Sequence, residues 1–493
     1  MKQSQRIVKN AVFGIGSSVI GGLVYLATIL VVARAVSVTE FGKYSFVLAF
    51  AMFFSNVADS GLPRMLIREI VKDPEQMVPL AGAAASLIWV ISGAICVLVA
   101  LVVPFLHFGL DVKIAALVMS FATMGTFHAA GYSAILRAFE DNELNYLGFV
   151  LHKILLLGLV IAVVKFHFGL AGFVAAHFVA NVLLWNFYHL VVARLYAPVP
   201  LRIDVSVWKA LLMSGLPMGG SVMLRQLALQ LDVLVLTWMT NLTTVGLFSG
   251  PYRISMALRV IPQTLSLPLF PLYSRTAHLS RAQFSEAYQW SLKFFALISF
   301  PLAAFFAAWA KPILLLTLGK KYLPSFPVMQ WLGIGLIPFF LSTLFQYLYA
   351  ALDEQKRFFV LTCVGSSLRF VLLVVFIYFF GFIGPGIAFA CGEITIVTLW
   401  MIQLARLGIS AKLGDIIWRP LTAGVAMTLV LFAARDATIL WQLVAAALAL
   451  FVYGIVLLAL KTFSLEEIHH AREGLAFFSP FVASWAKKLK RDS

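Results

Sequence analysis

Apolar segments of about 20 residues recur along almost the whole chain, and each is long enough to carry an α-helix across the hydrocarbon of a bilayer. Apolar residues make up 62% of the 493 residues, against about 45–50% in soluble domains. The segments do not alternate apolar with polar residues, which excludes a membrane β-barrel. The sequence therefore predicts an all-α polytopic membrane protein.

About fourteen membrane spans can be assigned, and the connections between them are too short to hold a soluble domain. They are predicted at 10–33, 44–61, 79–106, 113–136, 146–164, 170–193, 210–240, 245–272, 287–310, 324–350, 357–380, 384–405, 417–434 and 438–460. The first span follows a basic start and could be taken for a signal peptide. Because it is too long for one and has no small-residue cleavage site after it, we interpret it as a retained helix.

Short motifs recur at constant offsets and indicate that one six-helix unit occurs twice. Two motifs recur after 212 residues. Phe168-Gly169-x-x-Gly172 recurs as Phe380-Gly381-x-x-Gly384, and Ala193-Arg194-Leu195 recurs as Ala405-Arg406-Leu407. Another pair stands 204 residues apart: Thr39-x-x-Gly42-x-Tyr44-Ser45 and Thr243-x-x-Gly246-x-Phe248-Ser249. We predict a first lobe over 1–208 (spans 1 to 6) and a second over 209–416 (spans 7 to 12). Spans 13 and 14 follow over 417–460, then a basic cytoplasmic tail over 461–493.

The lysine and arginine residues are distributed unevenly between the two sides of the predicted membrane. Placing both termini in the cytoplasm puts 23 of them on that side and 8 on the other, and an excess of positive charge marks the cytoplasmic side. Since six spans is an even number, both lobes enter from the same side. The lobes are then parallel repeats, related by a pseudo-two-fold axis along the membrane normal. We expect a multi-pass protein of the inner (cytoplasmic) membrane.

With charges near span ends such as Asp59 and Lys293 left out, seven charged residues fall inside the predicted spans, where an unpaired charge costs about 2.5–3.5 kcal/mol on insertion scales. The cations are Lys153, Arg225, Arg253, Arg259 and Arg369, and the acids are Asp232 and Glu393. Buried ion pairs explain part of this set, but they leave about three cations unmatched. The excess indicates a water-filled cationic cavity, and hence an anionic substrate.

Two helical stripes add uncharged candidates for the lining of this cavity. Ser221 shares one face of span 7 with Arg225 and Asp232, and a second stripe in span 6 contains His177, Asn181, Trp185 and Tyr188. The aromatic residues could equally anchor the helix at the membrane interface. A packing role for His177 also stays open.

Signatures of enzymes and of nucleotide-driven transport are missing from the sequence. There is no phosphate-binding loop, no nucleophile elbow and no His-Glu-x-x-His motif. Cys96, Cys363 and Cys391 lie in apolar segments without metal-ligand spacing. The net charge is +16, but the sequence contains no soluble basic domain that could bind nucleic acid. We therefore expect no catalytic site, no metal, no cofactor and no nucleic-acid partner.

The stretch from Ala33 to Tyr44, with Phe41-Gly42-x-Tyr44 at its end, resembles the polysaccharide flippases of the Wzx type. These belong to the multidrug/oligosaccharidyl-lipid/polysaccharide (MOP) exporter superfamily. Further matching elements are Asp59-x-Gly61-Leu62 with Arg64 and Arg68, and in the second lobe Leu216-Pro217-Met218, Asp232, Gly246-x-Phe248 and Tyr252-Arg253. The resemblance covers essentially the whole chain in span number and orientation.

The resemblance implies a flippase that moves undecaprenyl-diphosphate-linked oligosaccharide repeat units to the outer leaflet by alternating access through a cationic cavity. The five cations would attract the diphosphate or acidic sugars, while Asp232 and Glu393 would form switching pairs or couple to a proton or sodium gradient. Membrane lipids, a polysaccharide polymerase and a chain-length regulator are the implied partners. Two alternatives are a lipid II flippase and an ion-coupled drug or cation antiporter, although antiporters usually carry an acid in span 1, which is absent here.

Overall fold

The structure, a computed structural model, describes residues 3–59, 61–266, 269–435 and 437–463. Within these ranges the side chains of 3–12, 15, 59, 215–219, 221, 222, 278 and 439 lie outside the description. The described residues form eighteen α-helices and four short 3-10 turns, with no strand among them. The prediction of an all-helical chain is confirmed. Nearly all of the predicted basic tail, from residue 464 onwards, lies outside the described residues.

The helices follow one another with short connections. The first half contains α1 (Gln3–Ala35), α2 (Val38–Asp59), α3 (Leu62–Lys72), α4 (Met77–Val102), α5 (Leu110–Ala138), α6 (Asn142–Lys165) and α7 (Gly169–Leu195). The second half contains α8 (Val205–Met239), α9 (Leu242–Ala257), α10 (Val260–Ser266), α11 (Leu269–Leu279), α12 (Arg281–Ala308), α13 (Ala310–Thr317), α14 (Phe326–Ala351), α15 (Gln355–Phe380) and α16 (Gly384–Arg406). The chain continues with α17 (Leu413–Ala433) and α18 (Ile439–Ala459).

The described residues contain eleven segments that are long and apolar enough to cross a membrane. One of them, Gln355–Arg406, is 52 residues long and includes both α15 and α16. The number of fourteen spans stays a prediction, although each predicted span overlaps a helix.

The predicted span at 245–272 is not one helix, and here the structure corrects the sequence prediction. The chain forms α9, α10 and α11 in its place. Pro262 has no N–H to donate to the carbonyl of Leu258, and its ring crowds that carbonyl. The amides of Leu258 and Arg259 instead make short-range bonds to the carbonyls of Ser255 and Met256, at 3.2 and 3.1 Å. The joint between α9 and α10 therefore carries Arg259.

Helix pairs recur in the two halves, as the internal duplication leads one to expect. α1 packs on α6 as α8 packs on α15, and α5 packs on α7 as α14 packs on α16. α17 packs on α12, and α18 packs on α17, so these two helices add to the outside of the second half. The boundaries at 208, 416 and 460 stay predictions.

The repeated motifs of the two halves touch each other directly. Thr39 Oγ1 and Thr243 Oγ1 share a hydrogen bond of 2.7 Å. A Cβ atom on Gly42 would lie 1.7 Å from the carbonyl oxygen of Leu242, and one on Gly246 would lie 2.0 Å from that of Val38. Only glycine permits so close a backbone approach. Each motif therefore meets its own copy, 204 residues away.

Basic residues reinforce this contact. Arg34 Nε donates to the carbonyl of Thr317 at 2.7 Å, and Arg34 Nη2 donates to that of Leu316. Lys321 Nζ donates to the carbonyl of Arg34 at 3.0 Å, and also to that of Val36. We call residues 34–42, 242–246 and 316–321 the end clamp. It joins the two halves at the end that the charge bias predicts to face outwards.

Reporter fusions test this orientation. A fusion after Lys412 is expected to report the cytoplasm, and a fusion near Lys320, in the end clamp, is expected to report the periplasm, because the cytoplasmic side carries the positive excess. Alkaline phosphatase and green fluorescent protein activities measure the two sides. A periplasmic signal from Lys412 would contradict the parallel arrangement of the lobes.

Candidate functional site

Asp232 and Arg369 form a closed ion pair between α8 and α15. Arg369 Nη2 lies 2.6 Å from Asp232 Oδ2, and the two side chains are 5% and 1% exposed. The guanidinium of Arg369 also lies over the ring of Phe389, 5.5 Å from its centroid. A Cβ atom on Gly392 would lie 2.5 Å from Arg369 Cγ, so this glycine leaves room for the arginine. In this structure the charge of Arg369 is paired with that of Asp232, and substrate binding by Arg369 stays a prediction.

Arg225 and Glu393 form a looser pair between α8 and α16. Arg225 Nη2 lies 3.8 Å from Glu393 Oε2, beyond the range of about 2.7–2.9 Å for charge-assisted hydrogen bonds. The same nitrogen donates to Ser342 Oγ at 3.0 Å, and the guanidinium lies over the ring of Trp400. The Arg225 side chain is 25% exposed, and that of Glu393 is 4% exposed. Arg225 therefore keeps a face that is open to another anion.

Lys153 and Arg253 reach the same tyrosine from opposite halves of the molecule. Lys153 Nζ on α6 lies 4.9 Å from the ring centroid of Tyr25, and Arg253 Nη1 on α9 donates to the Tyr25 hydroxyl at 3.3 Å. Both cations are partly exposed. Tyr25 was not among the residues predicted from the sequence. It lies on α1, where it brings two cations together by its ring and its hydroxyl.

Arg259 lies at the joint between α9 and α10. Its Nη2 lies 3.5 Å from Gln226 Oε1, and its guanidinium lies 5.7 Å from the ring centroid of Phe339. Arg225 and Glu393 are in electrostatic range of it. Within the described part of the chain, Lys153, Arg253 and Arg259 form no ion pair with a carboxylate. We call these three residues the cation set. Their number equals the excess expected from the sequence.

Two residues of the predicted stripe on α7 are buried in hydrogen-bonded pairs. His177 Nε2 lies 2.9 Å from the hydroxyl of Tyr44, and His152 Nε2 lies 2.9 Å from Asn181 Oδ1. Asn181 also donates to the carbonyl of Ala122 at 3.1 Å. His177 and Asn181 are 5% and 3% exposed. Their polar atoms bond to Tyr44, His152 and the Ala122 carbonyl inside the first half, and their lining of a cavity stays a prediction.

Trp185 and Ser221, which were also predicted to line the cavity, have different positions. Trp185 packs edge to face against Trp89, with 5.7 Å between the ring centroids, and 5.5 Å from the ring of His128. Trp185 therefore belongs to an aromatic cluster that involves α4 and α5, and its lining of a cavity stays a prediction. Ser221 lies on α8, and its side chain is outside the described part of the structure.

Comparison with known proteins assigns the chain to a family. A family model described as polysaccharide biosynthesis protein matches residues 7–277, more than half of the chain. No sequence among the curated proteins matches this chain.

Solved structures share the fold. A lipid II flippase, MurJ, in an inward closed conformation has a TM-score of 0.73 at 16% identity, over 91% of this chain and 98% of that one. An inward-facing multidrug resistance MATE family transporter has a TM-score of 0.62 at 16% identity, over 81% and 94%. A MOP superfamily transporter from Pyrococcus furiosus, described as having a binding pocket of reverse polarity, has a TM-score of 0.57 at 18% identity, over 81% and 95%. The chain therefore belongs to the polysaccharide biosynthesis protein family, and it has the all-helical fold seen in transporters of the MOP superfamily.

Proposed function

We propose that this protein is a flippase that moves undecaprenyl-diphosphate-linked oligosaccharide repeat units from the cytoplasmic to the outer leaflet for surface polysaccharide synthesis. The observation that carries the proposal is the convergence of Lys153 and Arg253 on Tyr25, with no carboxylate paired to either cation among the described residues. A diphosphate supplies the negative charge that this position lacks. Membership of a polysaccharide biosynthesis family supports a glycan as the rest of the cargo.

The position of the cations also suggests how binding is linked to movement. Each unpaired cation at membrane depth costs about 2.5–3.5 kcal/mol, which a bound anion relieves. Lys153 belongs to the first half and Arg253 to the second, so one diphosphate between them attracts both halves. In this structure the end clamp is closed. Alternating access then requires the clamp to open while the halves approach each other at the opposite end.

Charge reversal in the cation set tests the proposal. In a strain whose own copy of the gene is deleted, Lys153→Glu and Arg253→Glu are expected to reduce delivery of repeat units by roughly a hundredfold, because attraction to the diphosphate becomes repulsion. The matched control is Lys165→Glu, at the end of the same helix α6. Lipid-linked oligosaccharide is measured by mass spectrometry, and its arrival outside by an external sugar-binding probe. Normal delivery in the deletion strain, with no redundant transporter present, would show that the flippase proposal is wrong.

A lipid II flippase is the second candidate, because the lipid II flippase structure covers 91% of this chain with a TM-score of 0.73. Both cargoes carry the same undecaprenyl diphosphate, so the cation set suits either. Rescue of cells that lack their lipid II flippase separates the two. We expect no rescue, and we expect peptidoglycan synthesis to continue in the deletion strain. Export of a cationic dye would instead favour the antiporter.

Energy for transport is proposed to come from an ion gradient, since the sequence has no phosphate-binding loop. Asp232 and Glu393 are the proposed coupling groups, because each carboxylate lies opposite an arginine. Protonation of the carboxylate, or sodium binding to it, would release that arginine to another partner. Collapse of both the proton and the sodium gradient in vesicles is expected to stop accumulation of cargo in the outer leaflet. Unchanged transport after both collapses would remove this part of the proposal.

A further inference from the structure

A cavity with several polar side chains in its wall lies in the first half, at the end opposite to the end clamp. It has a volume of about 290 Å³ and lies among α1, α5, α6 and α7. This volume is near the lower limit of the roughly 300–1,000 Å³ of small-molecule sites. Its polar lining comprises Ser17, Ser18, Thr126, Ser133, Arg137, Asn145, Tyr146 and Tyr188, so it contains one cation and, among the described residues, no carboxylate.

The hydroxyl groups of this cavity are arranged as acceptors. The hydroxyls of Ser17 and Ser18 both donate to the carbonyl of Gly14, at 3.0 and 2.7 Å, and Ser133 Oγ lies 2.7 Å from Asn145 Oδ1. Because these protons are already engaged, each hydroxyl oxygen presents free lone pairs to the cavity. Donors lie beside them in the amide of Asn145 and the hydroxyl of Tyr146. A ligand rich in hydroxyl groups, which both donate and accept, fits this arrangement.

Aromatic rings supply an apolar wall to the same cavity. Tyr146 and Phe149 of α6 both line it. A Cβ atom on Gly14 would lie 2.6 Å from the Tyr146 hydroxyl, and one on Gly21 would lie 2.3 Å from the ring of Phe149. The two glycines of α1 therefore let the rings of α6 lie against the α1 backbone. Ring faces beside hydrogen-bonding groups suit a sugar, whose ring has apolar C–H faces and a polar rim.

One helical seam links this cavity to the cation set. On α1, Gly14, Ser18, Gly21 and Tyr25 recur at spacings of four, three and four residues, which places them on one face. On α6, Tyr146, Phe149 and Lys153 recur at three and four, and Lys153 Nζ lies 5.5 Å from the ring centroid of Phe149. Seven residues of helix from Tyr146 to Lys153 correspond to about 10 Å. A short glycan attached to a diphosphate has that reach.

We propose that this cavity is a sugar subsite, which holds sugars of the lipid-linked glycan while Lys153 and Arg253 hold its diphosphate. The inference rests on the proposed function and adds a basis for selecting the cargo. The cavity lies at the end that the charge bias predicts to face the cytoplasm, where the glycan enters. It favours a glycosylated carrier over a bare one, because only the former fills both positions.

Binding measurements with two probes test the subsite. The full-length protein in nanodiscs is titrated with undecaprenyl diphosphate and with undecaprenyl diphosphate that carries the repeat unit extracted from the host cells. Tyr146→Phe and Ser133→Ala are each expected to weaken binding of the glycosylated probe about tenfold, through one lost hydrogen bond, and to leave binding of the bare probe unchanged. Tyr378→Phe, at a residue that is 77% exposed, is the matched control and should change neither.

The cation set provides the comparison that separates the two proposals. Lys153→Gln is expected to weaken binding of both probes, because it removes a contact to the diphosphate. Equal affinity of the native protein for the two probes, or an equal effect of Tyr146→Phe and Ser133→Ala on both, would overturn the sugar subsite and leave the flippase proposal standing. Binding of neither probe by the native protein would overturn both. Unchanged affinity for the bare probe also shows that the Tyr146→Phe and Ser133→Ala variants are folded.

Discussion

Replacing Asp232 with leucine is expected to destabilise the protein by about 3–5 kcal/mol, because it leaves the Arg369 charge buried without a partner. Arg369 is 5% exposed, and its Nη2 lies 2.6 Å from Asp232 Oδ2. Replacing both residues, as Asp232→Leu with Arg369→Met, is expected to recover most of the loss, since no charge then remains to be buried. Thermal unfolding of the purified protein in detergent measures both effects.

The double-mutant cycle makes this prediction specific to the pair. Asp73→Ala, at an exposed position after α3, is the control and should change the melting temperature little. If the double variant is destabilised by the sum of the two single effects, the carboxylate and the guanidinium act independently, and the ion pair is not the reason for the loss.

Replacing Arg225 with glutamate is expected to abolish transport while the protein still inserts into the membrane. The new carboxylate would face Glu393, whose Oε2 lies 3.8 Å from Arg225 Nη2 and whose side chain is 4% exposed. Two carboxylates in that setting repel each other and repel an anionic cargo. Arg225→Lys is expected to retain part of the activity, since it keeps the charge but loses the planar guanidinium that lies over Trp400.

A charge swap distinguishes local repulsion from a direct role in the transport path. Arg225→Glu combined with Glu393→Arg restores an attractive pair and should raise the melting temperature above that of the Arg225→Glu single variant. Transport is measured as delivery of repeat units to the outer leaflet, normalised to the amount of protein in the membrane. Full transport by the Arg225→Glu single variant would show that Arg225 does not line the path.

The helices were predictable because apolar length is a local property of the sequence. The excess of three cations was also predictable, because it depends only on counting charges within apolar segments. The pairing of those charges was not. Arg225 and Asp232 share one stripe of α8, yet Asp232 pairs with Arg369 of α15, 137 residues away. Helical periodicity shows which side of a helix a residue faces, whereas the partner depends on how distant helices pack.

Uncharged partners were missed for a related reason. Tyr25 has no formal charge, so an inventory of charges inside the membrane passes over it. Its signal was weak but present: it continues the seam of Gly14, Ser18 and Gly21 on α1. The break at Leu258 in the eighth predicted span became evident only from the hydrogen bonds that replace the helical ones.

The end clamp has the form of a two-fold interface between two copies of one ancestral unit. Thr39 contacts Thr243, and Gly42 and Gly246 each approach the backbone of the other motif, as a residue contacts its equivalent in a symmetric dimer. A single-unit ancestor could have made the same contact with a second copy of itself. Fusion of the genes then freed each half to change alone. The counterpart of Lys153, 212 residues later, is Gly365, which carries no charge. The two halves are therefore alike at the end clamp, where they contact each other, and differ at the position where the cargo is proposed to bind.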